Sequence, residues 1–306
     1  MVSRINTMLT GCQLAEFETK GFTIVRNAFS SDIAKQIREE LLWPLVESDG
    51  TILKNNSNTW PYRKGLKDIL QSDDQVISNK LIVAIDQLLG ESCWDIKTLA
   101  LGWWVVTFPE SCLQTTDLGV QPTDLETWGA RGKWHVDGAH FLHSADSPEQ
   151  GLLPVFLFSN IEAGDGGTAL AVGSHLRVAQ LLLEESDGIP GGDLSQRARE
   201  IPGILNQVEE VTGNAGDVAL LHPFLLHAIS RNLGNKGVDS VRFICNPCVR
   251  LKNSMDIRIQ NESFASPLER TIINVRKSLK LNDTITQPTF DIPPRKRRKQ
   301  KSQRKK

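Results

Sequence analysis

The apolar pattern of the first hundred residues predicts one short strand and two helices. Residues 22–25, Phe-Thr-Ile-Val, have the composition of a strand, and Ser31 then caps a first helix. The apolar residues of this helix recur every four positions and are Ile33, Ile37, Leu41 and Leu45. A second helix is predicted over residues 76–89, because the capping-box sequence Ser-Asp-Asp-Gln at 72–75 precedes it. We expect both helices, within residues 31–90, to pack on the outside of a sheet.

From residue 98 onward the pattern changes to short β-rich runs separated by Gly, Pro and Asn. The runs are residues 99–108, 152–158, 168–172, 208–212, 217–222, 225–231 and 241–251. Many short strands joined by turns favour a mainly β jelly roll or sandwich with flanking helices over a parallel sheet.

Helices are predicted to interrupt and follow this β-rich core. Two inserts, residues 175–185 and 194–205, have helical spacing. A last helix over 267–279 is predicted from the sequence Ser-Pro-Leu-Glu that starts at Ser266, since it combines an N-cap, an early proline and a capping glutamate. Residues 1–287 are therefore predicted to form one domain with its core at about 98–251.

The charge pattern separates an acidic body from a basic end. The chain has 35 basic and 36 acidic side chains, and nine of the basic ones lie in residues 295–306, which contain no acid. Residues 1–294 thus carry 26 basic and 36 acidic groups, so this part offers no electrostatic footprint for nucleic acid. We expect residues 288–306 to be a disordered basic tail, through which alone nucleic acid or an acidic partner could be bound.

Cysteine usage and hydropathy predict an intracellular, soluble protein. The five cysteines are odd in number and scattered, and the N-terminus has no signal segment. Cys245 and Cys248 form a single C-x-x-C, which we interpret as buried thiols beside a strand because no second pair accompanies them. No apolar run reaches the roughly 18 residues that span a bilayer. The expected location is cytoplasmic or, if the basic tail is a nuclear signal, nuclear.

The strongest chemical signal is the sequence Trp-His-Val-Asp-Gly at residues 134–138. In a strand, positions i and i+2 project to the same face, so His135 and Asp137 can point at one ion. Gly138 lets the chain turn away directly afterwards. Two histidines and one carboxylate on one face of an octahedron form the facial triad of non-haem Fe(II) oxygenases, so a third ligand is required from elsewhere.

Several histidines are candidates for this third ligand. His222 and His227 lie in one β-rich segment, where either could be the ligand and the other structural. His140 and His143 follow the His-x-Asp pair closely and could be ligands or loop residues that line a substrate entrance. His175 stands at the start of a predicted helix, where a structural hydrogen bond is the simpler interpretation.

An ordered series of motifs over residues 14–251 resembles the phytanoyl-CoA dioxygenase family of Fe(II)/2-oxoglutarate oxygenases. The series consists of Gly-Phe-Thr-Ile-Val at 21–25, Trp-His-Val-Asp-Gly at 134–138, Gly-Gly-Thr-Ala-Leu-Ala-Val-Gly-Ser-His at 166–175, Gly-Asp at 216–217, the segment 227–232, and Arg242. The order of these motifs is far more specific than any one of them. The resemblance implies a double-stranded β-helix, or cupin-like jelly roll, with Fe(II) as cofactor and 2-oxoglutarate and O2 as co-substrates.

The resemblance also implies a role for individual residues. His135, Asp137 and His227 match the iron ligands of the family. Arg242 matches the basic residue that pairs with the distal carboxylate of 2-oxoglutarate, a role that suits a planar, permanently charged guanidinium. Arg250 is the competing candidate and lies nearer the end of the strand.

Two further residues are implied as contacts of 2-oxoglutarate, and two positions depart from the family. Thr168 and Ser230 are the hydroxyl candidates. The family usually has serine two positions after the iron histidine, where this chain has Ile229 and places Ser230 one residue later. Val172 stands where proline is expected. Asp137 occupies the position that is Gly or Ala in halogenating relatives, which favours hydroxylation.

The function expected from these residues is hydroxylation of a small-molecule or lipid-like substrate, with release of succinate and CO2. The alternative is a catalytically silent, cupin-like metal-binding protein or a nuclear interaction protein that uses the basic tail. Loops such as residues 110–130 and 186–205 are expected to form the pocket walls and so to determine which substrate is bound. A peroxisomal C-terminal signal is missing from the printed sequence, which disfavours the lipid setting best known for the family.

Overall fold

The computed structural model describes residues 9–67, 73–110, 134–259 and 262–280. Thirteen strands lie in these ranges: β1 (Phe22–Val25), β2 (Arg63–Lys67), β3 (Trp94–Asp95), β4 (Trp103–Thr107), β5 (Leu142–His143), β6 (Leu153–Leu157), β7 (Thr168–Ala171), β8 (Ile189–Pro190), β9 (Val208–Glu210), β10 (Val218–Leu221), β11 (His227–Ile229), β12 (Arg242–Cys245) and β13 (Arg250–Leu251). The helices are α1 (Gly11–Lys20), α2 (Ser31–Ile37), α3 (Trp43–Val46), α4 (Asn79–Leu89), α5 (Ser174–Glu184), α6 (Gly191–Arg199) and α7 (Pro267–Ser278).

Two antiparallel sheets form the centre of the structure. The larger sheet has six strands in the order β1-β10-β6-β12-β4-β2, and the smaller has three in the order β11-β7-β9. The neighbours in each sheet pair antiparallel although they are distant in sequence, as in a jelly roll. The predicted fold class, a mainly β jelly roll with flanking helices, is therefore confirmed.

The buried face of the larger sheet explains the β-rich sequence runs. The strands β6 and β12 are buried at every position, because one face packs against the smaller sheet and the other against helices. Phe156 and Phe243 are fully buried examples within the large hydrophobic cluster. Periodicity alone does not show such strands, so the composition of the runs was the usable signal.

The outer helices include one that the apolar pattern did not predict. α1 begins with a complete capping box at Thr10 and Gln13 and ends at Gly21, which has a positive φ of 91°. Phe17 is its single buried residue, so the weak apolar stripe concealed the helix. The predicted helix from Ser31 is present but is interrupted by a π-helical turn over Arg38–Leu42, which precedes Pro44.

The remaining helices have shifted boundaries. α4 begins at Asn79 and is capped by the side chain of Ser78, so the capping box predicted before residue 76 is wrong in position, and its first residue, Ser72, lies outside the described residues. α7 is capped as predicted, with Ser266 and Glu269 forming the capping box. α6 ends at Arg199, six residues earlier than predicted.

Two strand predictions differ from the structure, and some predicted segments lie outside the described residues. The edge strand β2 was not predicted, and the predicted run 241–251 divides into β12 and β13. No helix among the described residues is both long and apolar enough to span a bilayer. The predicted basic tail, residues 288–306, and residues 111–130 of the predicted loop 110–130 lie outside the described residues.

Candidate active site

The backbone of the smaller sheet brings His135 and His227 side by side. The amide of His135 donates to the carbonyl of His227 at 2.9 Å, and the reverse bond measures 3.0 Å. This reciprocal pair places the two residues directly opposite each other, so their side chains leave the same face. Their ring centroids are 4.4 Å apart.

Asp137 joins the two histidines because it lies two residues after His135 in extended chain. Its Oδ1 is 3.3 Å from Nε2 of His135 and 3.7 Å from Nε2 of His227. One ligand atom from each of the three residues lies within 4.8 Å of the others. An octahedral ion with bonds of about 2.1 Å needs adjacent ligand atoms roughly 3 Å apart, so only a small adjustment would close the triad on a metal.

Gly138 is required by the turn that follows the triad. Its φ is +100°, a conformation that L side chains rarely adopt. A Cβ at this position would also lie 2.3 Å from the ring of Phe141. The glycine that closes the His-x-Asp motif is thus needed for both backbone conformation and space.

Hydrogen bonding and burial prepare His227 to act as a ligand. Its Nδ1 lies 3.0 Å from the carbonyl of Leu225, so Nδ1 carries the proton and Nε2 presents its lone pair towards Asp137. Burial, with the neighbouring His135 adding to the effect, lowers the pKa of His227 to about 4. Burial opposes ionisation of Asp137, yet its hydrogen bond to His135 and the nearby histidines hold the pKa of this carboxyl below its ordinary value. A neutral histidine and an ionised aspartate are the protonation states that metal ligands need.

The other candidate histidines are placed elsewhere. His222 is buried and bonds through Nε2 to the Thr271 hydroxyl at 2.9 Å, while its Nδ1 accepts from the Phe224 amide. His143 is buried and bonds to the carbonyl of Gly138, and His175 bonds to the carbonyl of Glu18. His140 is exposed at the cavity wall. Within the described ranges, only His135, Asp137 and His227 converge in a group suited to a metal.

The triad opens into a cavity of about 600 Å³ between the two sheets. Its walls are largely apolar, with Trp103, Val105, Val155 and Ile244 from the larger sheet and Ile229 from the smaller one. The polar side chains on the cavity wall, besides the triad, are Arg63, His140, Gln150, Thr168, Arg242 and Asn246. A mostly apolar cavity with a few polar groups is the usual form of a small-molecule site.

Arg242 is the most unusual polar group of this cavity. Its side chain is only 1% exposed, and Nε donates to the hydroxyl of Thr107 at 3.0 Å. Its two terminal nitrogens, Nη1 and Nη2, are buried and have no hydrogen-bond partner among the described residues. Burial lowers the pKa of Arg242 to about 10, which still leaves the guanidinium charged at neutral pH. A buried charge without a partner is costly, so the guanidinium is suited to binding an anion, and none is supplied by the described residues.

Arg250, the competing arginine, has its partner already. Its Nη2 lies 2.7 Å from the Oε1 of Glu149. The backbone of Arg250 lies opposite that of Asp95 in the antiparallel pair of β13 and β3. It is not among the residues that line the cavity. The geometry therefore favours Arg242 as the anion-binding arginine.

The two hydroxyl candidates separate in the structure. Thr168 lines the cavity, where it pairs with Ile229 across β7 and β11. Ser230 does not line it: its hydroxyl donates to the carbonyl of Gly167 at 2.5 Å and lies 3.0 Å from Glu210. Successive residues of a strand point to opposite faces of the sheet. Ile229, which stands where the family has serine, therefore lies on the same face as His227, and Ser230 points to the other face. The expectation that Ser230 contacts a co-substrate is not met by this arrangement.

The remaining sequence candidates occupy structural or wall positions. Trp104 is fully buried, whereas Trp103 lines the cavity. Cys245 is buried, and burial raises the pKa of its thiol well above the ordinary value, which makes it unreactive. Gln150 and Asn246 are cavity residues that sequence reasoning missed, since neither belongs to a recognisable motif.

Comparison with known proteins gives structural similarity without sequence similarity. No protein-family model matches the chain, and no curated protein matches it in sequence. A crystal structure of HygX from Streptomyces hygroscopicus with nickel and 2-oxoglutarate bound has 14% identity and a TM-score of 0.44, covering 80% of this chain and 88% of that one. The apo form of EctD from S. alaskensis has 15% identity and a TM-score of 0.45, with 82% and 79% covered.

A third similar structure is the non-haem α-ketoglutarate-dependent carbocyclase SnoK from nogalamycin biosynthesis. It has 14% identity and a TM-score of 0.43, with 79% of this chain and 84% of that chain covered. Because the sequence identities are 14–15% and the TM-scores are 0.43–0.45, the function of the chain has to be argued from its own residues.

Proposed function

We propose that the protein is a non-haem Fe(II)/2-oxoglutarate-dependent dioxygenase that hydroxylates a small-molecule substrate with release of succinate and CO2. The observation that carries this proposal is the position of two incomplete groups in one cavity. His135, Asp137 and His227 supply a facial donor set, and Arg242 supplies an unpartnered guanidinium. A metal and a carboxylate-bearing co-substrate would complete both groups.

The donor set fits iron by its chemistry. Two imidazole nitrogens and one carboxylate oxygen are the ligands of the 2-His-1-carboxylate sites that hold non-haem Fe(II). His135, Asp137 and His227 would hold the ion. When bound, Fe(II) supplies the activation of O2 that is coupled to decarboxylation of the 2-oxo acid.

Arg242 would orient 2-oxoglutarate. The two free terminal nitrogens can donate parallel hydrogen bonds to one carboxylate, while the bond from Nε to Thr107 fixes the plane of the fork. Thr168 lies on the facing sheet and is the hydroxyl available to the co-substrate within the same cavity. The apolar side chains of the walls lower the local dielectric constant, which strengthens each of these polar contacts.

Asp137 also favours hydroxylation as the outcome. A carboxylate in this position occupies the site that a halide would need for halogenation. The same residue would keep the net charge of the metal centre low, since its pKa lies below the ordinary value and it remains ionised at neutral pH.

The finer assignments follow from the sequence resemblance. We propose membership of the phytanoyl-CoA dioxygenase family, with residues 1–287 as the catalytic domain. Two further points remain predictions from composition. One is an intracellular location in the cytoplasm or nucleus, and the other is that the basic tail is a nuclear signal or a binding segment. The intact triad and the unpartnered Arg242 disfavour a catalytically silent protein.

The test is anaerobic reconstitution with Fe(II), followed by measurement of O2-dependent succinate formation from 2-oxoglutarate. The wild type is expected to bind one iron per chain and to form succinate slowly even without substrate. His135→Ala should lose both properties. His140→Ala, which removes an exposed histidine of the same cavity, serves as the matched control and should retain iron. Absence of iron binding in the wild type, or equal turnover in wild type and His135→Ala, would overturn the proposal.

A further inference from the structure

The cavity holds a second set of unpartnered polar atoms, separate from Arg242. Both side-chain atoms of the Gln150 amide, Nε2 and Oε1, are buried without a hydrogen-bond partner among the described residues, and so is Oδ1 of Asn246. Gln150 is only 5% exposed. Both residues line the cavity. Buried polar atoms without a partner destabilise the folded protein, so three of them in one cavity indicate a missing ligand.

The backbone holds both amides in place. The neighbours of Gln150 are tied down on each side, since the amide of Gly151 donates to Val249 at 2.6 Å and the carbonyl of Pro148 accepts from Leu251 at 2.9 Å. Asn246 follows directly after β12, and its amide donates to the carbonyl of Trp103 at 3.3 Å. The amides are therefore presented by a fixed scaffold, as preorganised binding groups are.

The position of Asn246 separates this amide pair from the co-substrate site. Arg242 and Ile244 of β12, and Asn246 directly after it, are alternate residues of the chain and all line the cavity, so they share one face. Four residues of strand place Asn246 about 13 Å from Arg242 along the backbone. A five-carbon dicarboxylate spans at most about 6 Å between its terminal carbons. A 2-oxoglutarate anchored at Arg242 leaves the far end of the cavity to another molecule.

The charges of the cavity restrict the chemistry of that molecule. Asp137 is the only carboxylate among the described residues that line the cavity, and it belongs to the triad. A cationic substrate would therefore find no counter-charge near the amides. Gln150 offers one donor and one acceptor group and Asn246 a further acceptor, a combination that suits hydroxyl groups or an amide.

We propose that Gln150 and Asn246 form the substrate-recognition subsite, and that the substrate is a hydroxyl- or amide-bearing small molecule without positive charge and not an acyl chain. This inference rests on the proposed function for the identity of the neighbouring site. A hydrocarbon chain in the same place would exclude water and leave both amides unpaired. Sites built to hydrogen-bond a substrate reject analogues that lack the polar group by large factors.

The first test uses the metal-free protein and so does not depend on iron. Gln150→Met replaces the amide by an apolar side chain of similar length, and Gln36→Met makes the same change at an exposed position, where the amide donates to Glu40. If the Gln150 amide is held unsatisfied for a ligand, Gln150→Met should raise the melting temperature by about 2 °C or more relative to Gln36→Met. An equal or lower melting temperature would show that the amide is structural and would overturn the proposal.

The second test measures ligand class directly. Protein labelled with ¹⁵N-glutamine is titrated with acetamide and ethylene glycol as polar probes and with benzene as the apolar probe. The side-chain amide resonance of Gln150, identified by its loss in Gln150→Met, should shift with the polar probes, while that of Gln36 stays unchanged. A shift with benzene alone, or with none of the probes, contradicts the inference. Failure of iron or 2-oxoglutarate binding would instead overturn the proposed function and leave these two results unaffected.

Discussion

Two pairs of neighbouring histidines lie among the described residues, and only one of them is arranged for metal binding. In the cavity pair, the half-exposed His135 and the buried His227 have tilted rings with centroids 4.4 Å apart, and in the packed pair, the buried His175 and His222 have tilted rings 4.8 Å apart. Burial lowers the pKa of His227 and of His175 alike to about 4. Proximity, burial and a lowered pKa therefore do not by themselves identify a metal ligand.

The hydrogen-bond partners make the difference. Both nitrogens of His222 are engaged, one with the Thr271 hydroxyl and one with the Phe224 amide. In His227 only Nδ1 is bonded, to a backbone carbonyl, and Nε2 is turned towards the carboxylate of Asp137. The carboxylate of Asp137 beside both rings and the adjoining cavity make the first pair a candidate metal site. Nδ1 of His175 also has no hydrogen-bond partner, but no metal-binding group of His, Cys, Asp or Glu forms around it among the described residues. The packed pair joins α5 to α1 and α7.

The largest effect that distinguishes the two pairs is expected from removing a cavity histidine. His227→Ala should lower the affinity for Fe(II) by more than about 100-fold and abolish succinate formation, because the triad loses one of three ligands. The protein should remain folded, since the lost side chain makes one hydrogen bond to the backbone. Iron content after gel filtration and circular dichroism measure the two properties. Retention of stoichiometric iron in His227→Ala would remove this residue from the site.

The two candidate arginines, Arg242 and Arg250, allow a similar comparison between a cavity residue and a residue that is already paired. Arg242→Met should raise the KM for 2-oxoglutarate by about 10- to 100-fold, the value of a charge-assisted hydrogen-bonded pair. Arg250→Met is the matched control, because Arg250 is already paired with Glu149 outside the cavity. Steady-state succinate assays at varied 2-oxoglutarate give both values. A larger change in Arg250→Met than in Arg242→Met would reverse the assignment.

Substitution of a packed histidine should lower the stability of the protein and leave its iron binding unchanged. His222→Leu deprives the Phe224 amide and the Thr271 hydroxyl of their partner, so the free energy of unfolding should fall by about 2 kcal/mol. Urea denaturation measures this loss, and the iron content should equal that of the wild type. Loss of iron in a folded His222→Leu would place this residue in the metal centre.

A pH dependence of stability is also expected from the packed pair. The pKa of His175 is about 4 because burial disfavours its charged form, against 6.5 for an exposed histidine. Between these values the unfolded chain binds more protons, so stability is complete above pH 6.5 and falls as the pH is lowered towards 4. His175 should contribute about 1 kcal/mol per pH unit in this window.

Urea titrations at pH 7, 6 and 5 on wild type and His175→Leu measure this contribution. The variant should show a shallower decline. An identical slope in both proteins would mean that His175 is protonated in the folded state, and that burial has less influence on the packed pair than its position indicates.

Local sequence signals predicted the β core and the pair His135 and Asp137 because both depend on residues close in the chain. A strand period of two places these side chains on one face whatever the rest of the fold does. The choice between His222 and His227 depended on a family resemblance, since it is decided by a long-range strand pairing that no local pattern contains. The structure brings His227, and not His222, to the His-x-Asp pair.

Features that depend on register or on weak local patterns could not be predicted. Ser230 was expected at the co-substrate, but a single residue of register turns its side chain to the other face of the smaller sheet. α1 carries one buried residue and so lacked a clear apolar stripe. Gln150 and Asn246 are candidate binding residues because they line the cavity and have buried side-chain atoms without hydrogen-bond partners. Neither property follows from a sequence motif.

The most direct test of the metal centre is an anaerobic crystal structure of the protein with Fe(II) and 2-oxoglutarate, with iron located by its anomalous scattering. We predict one iron peak bound by His135, Asp137 and His227, and a carboxylate of 2-oxoglutarate on the terminal nitrogens of Arg242. Iron at the packed histidines, or 2-oxoglutarate bound away from Arg242, would contradict the account.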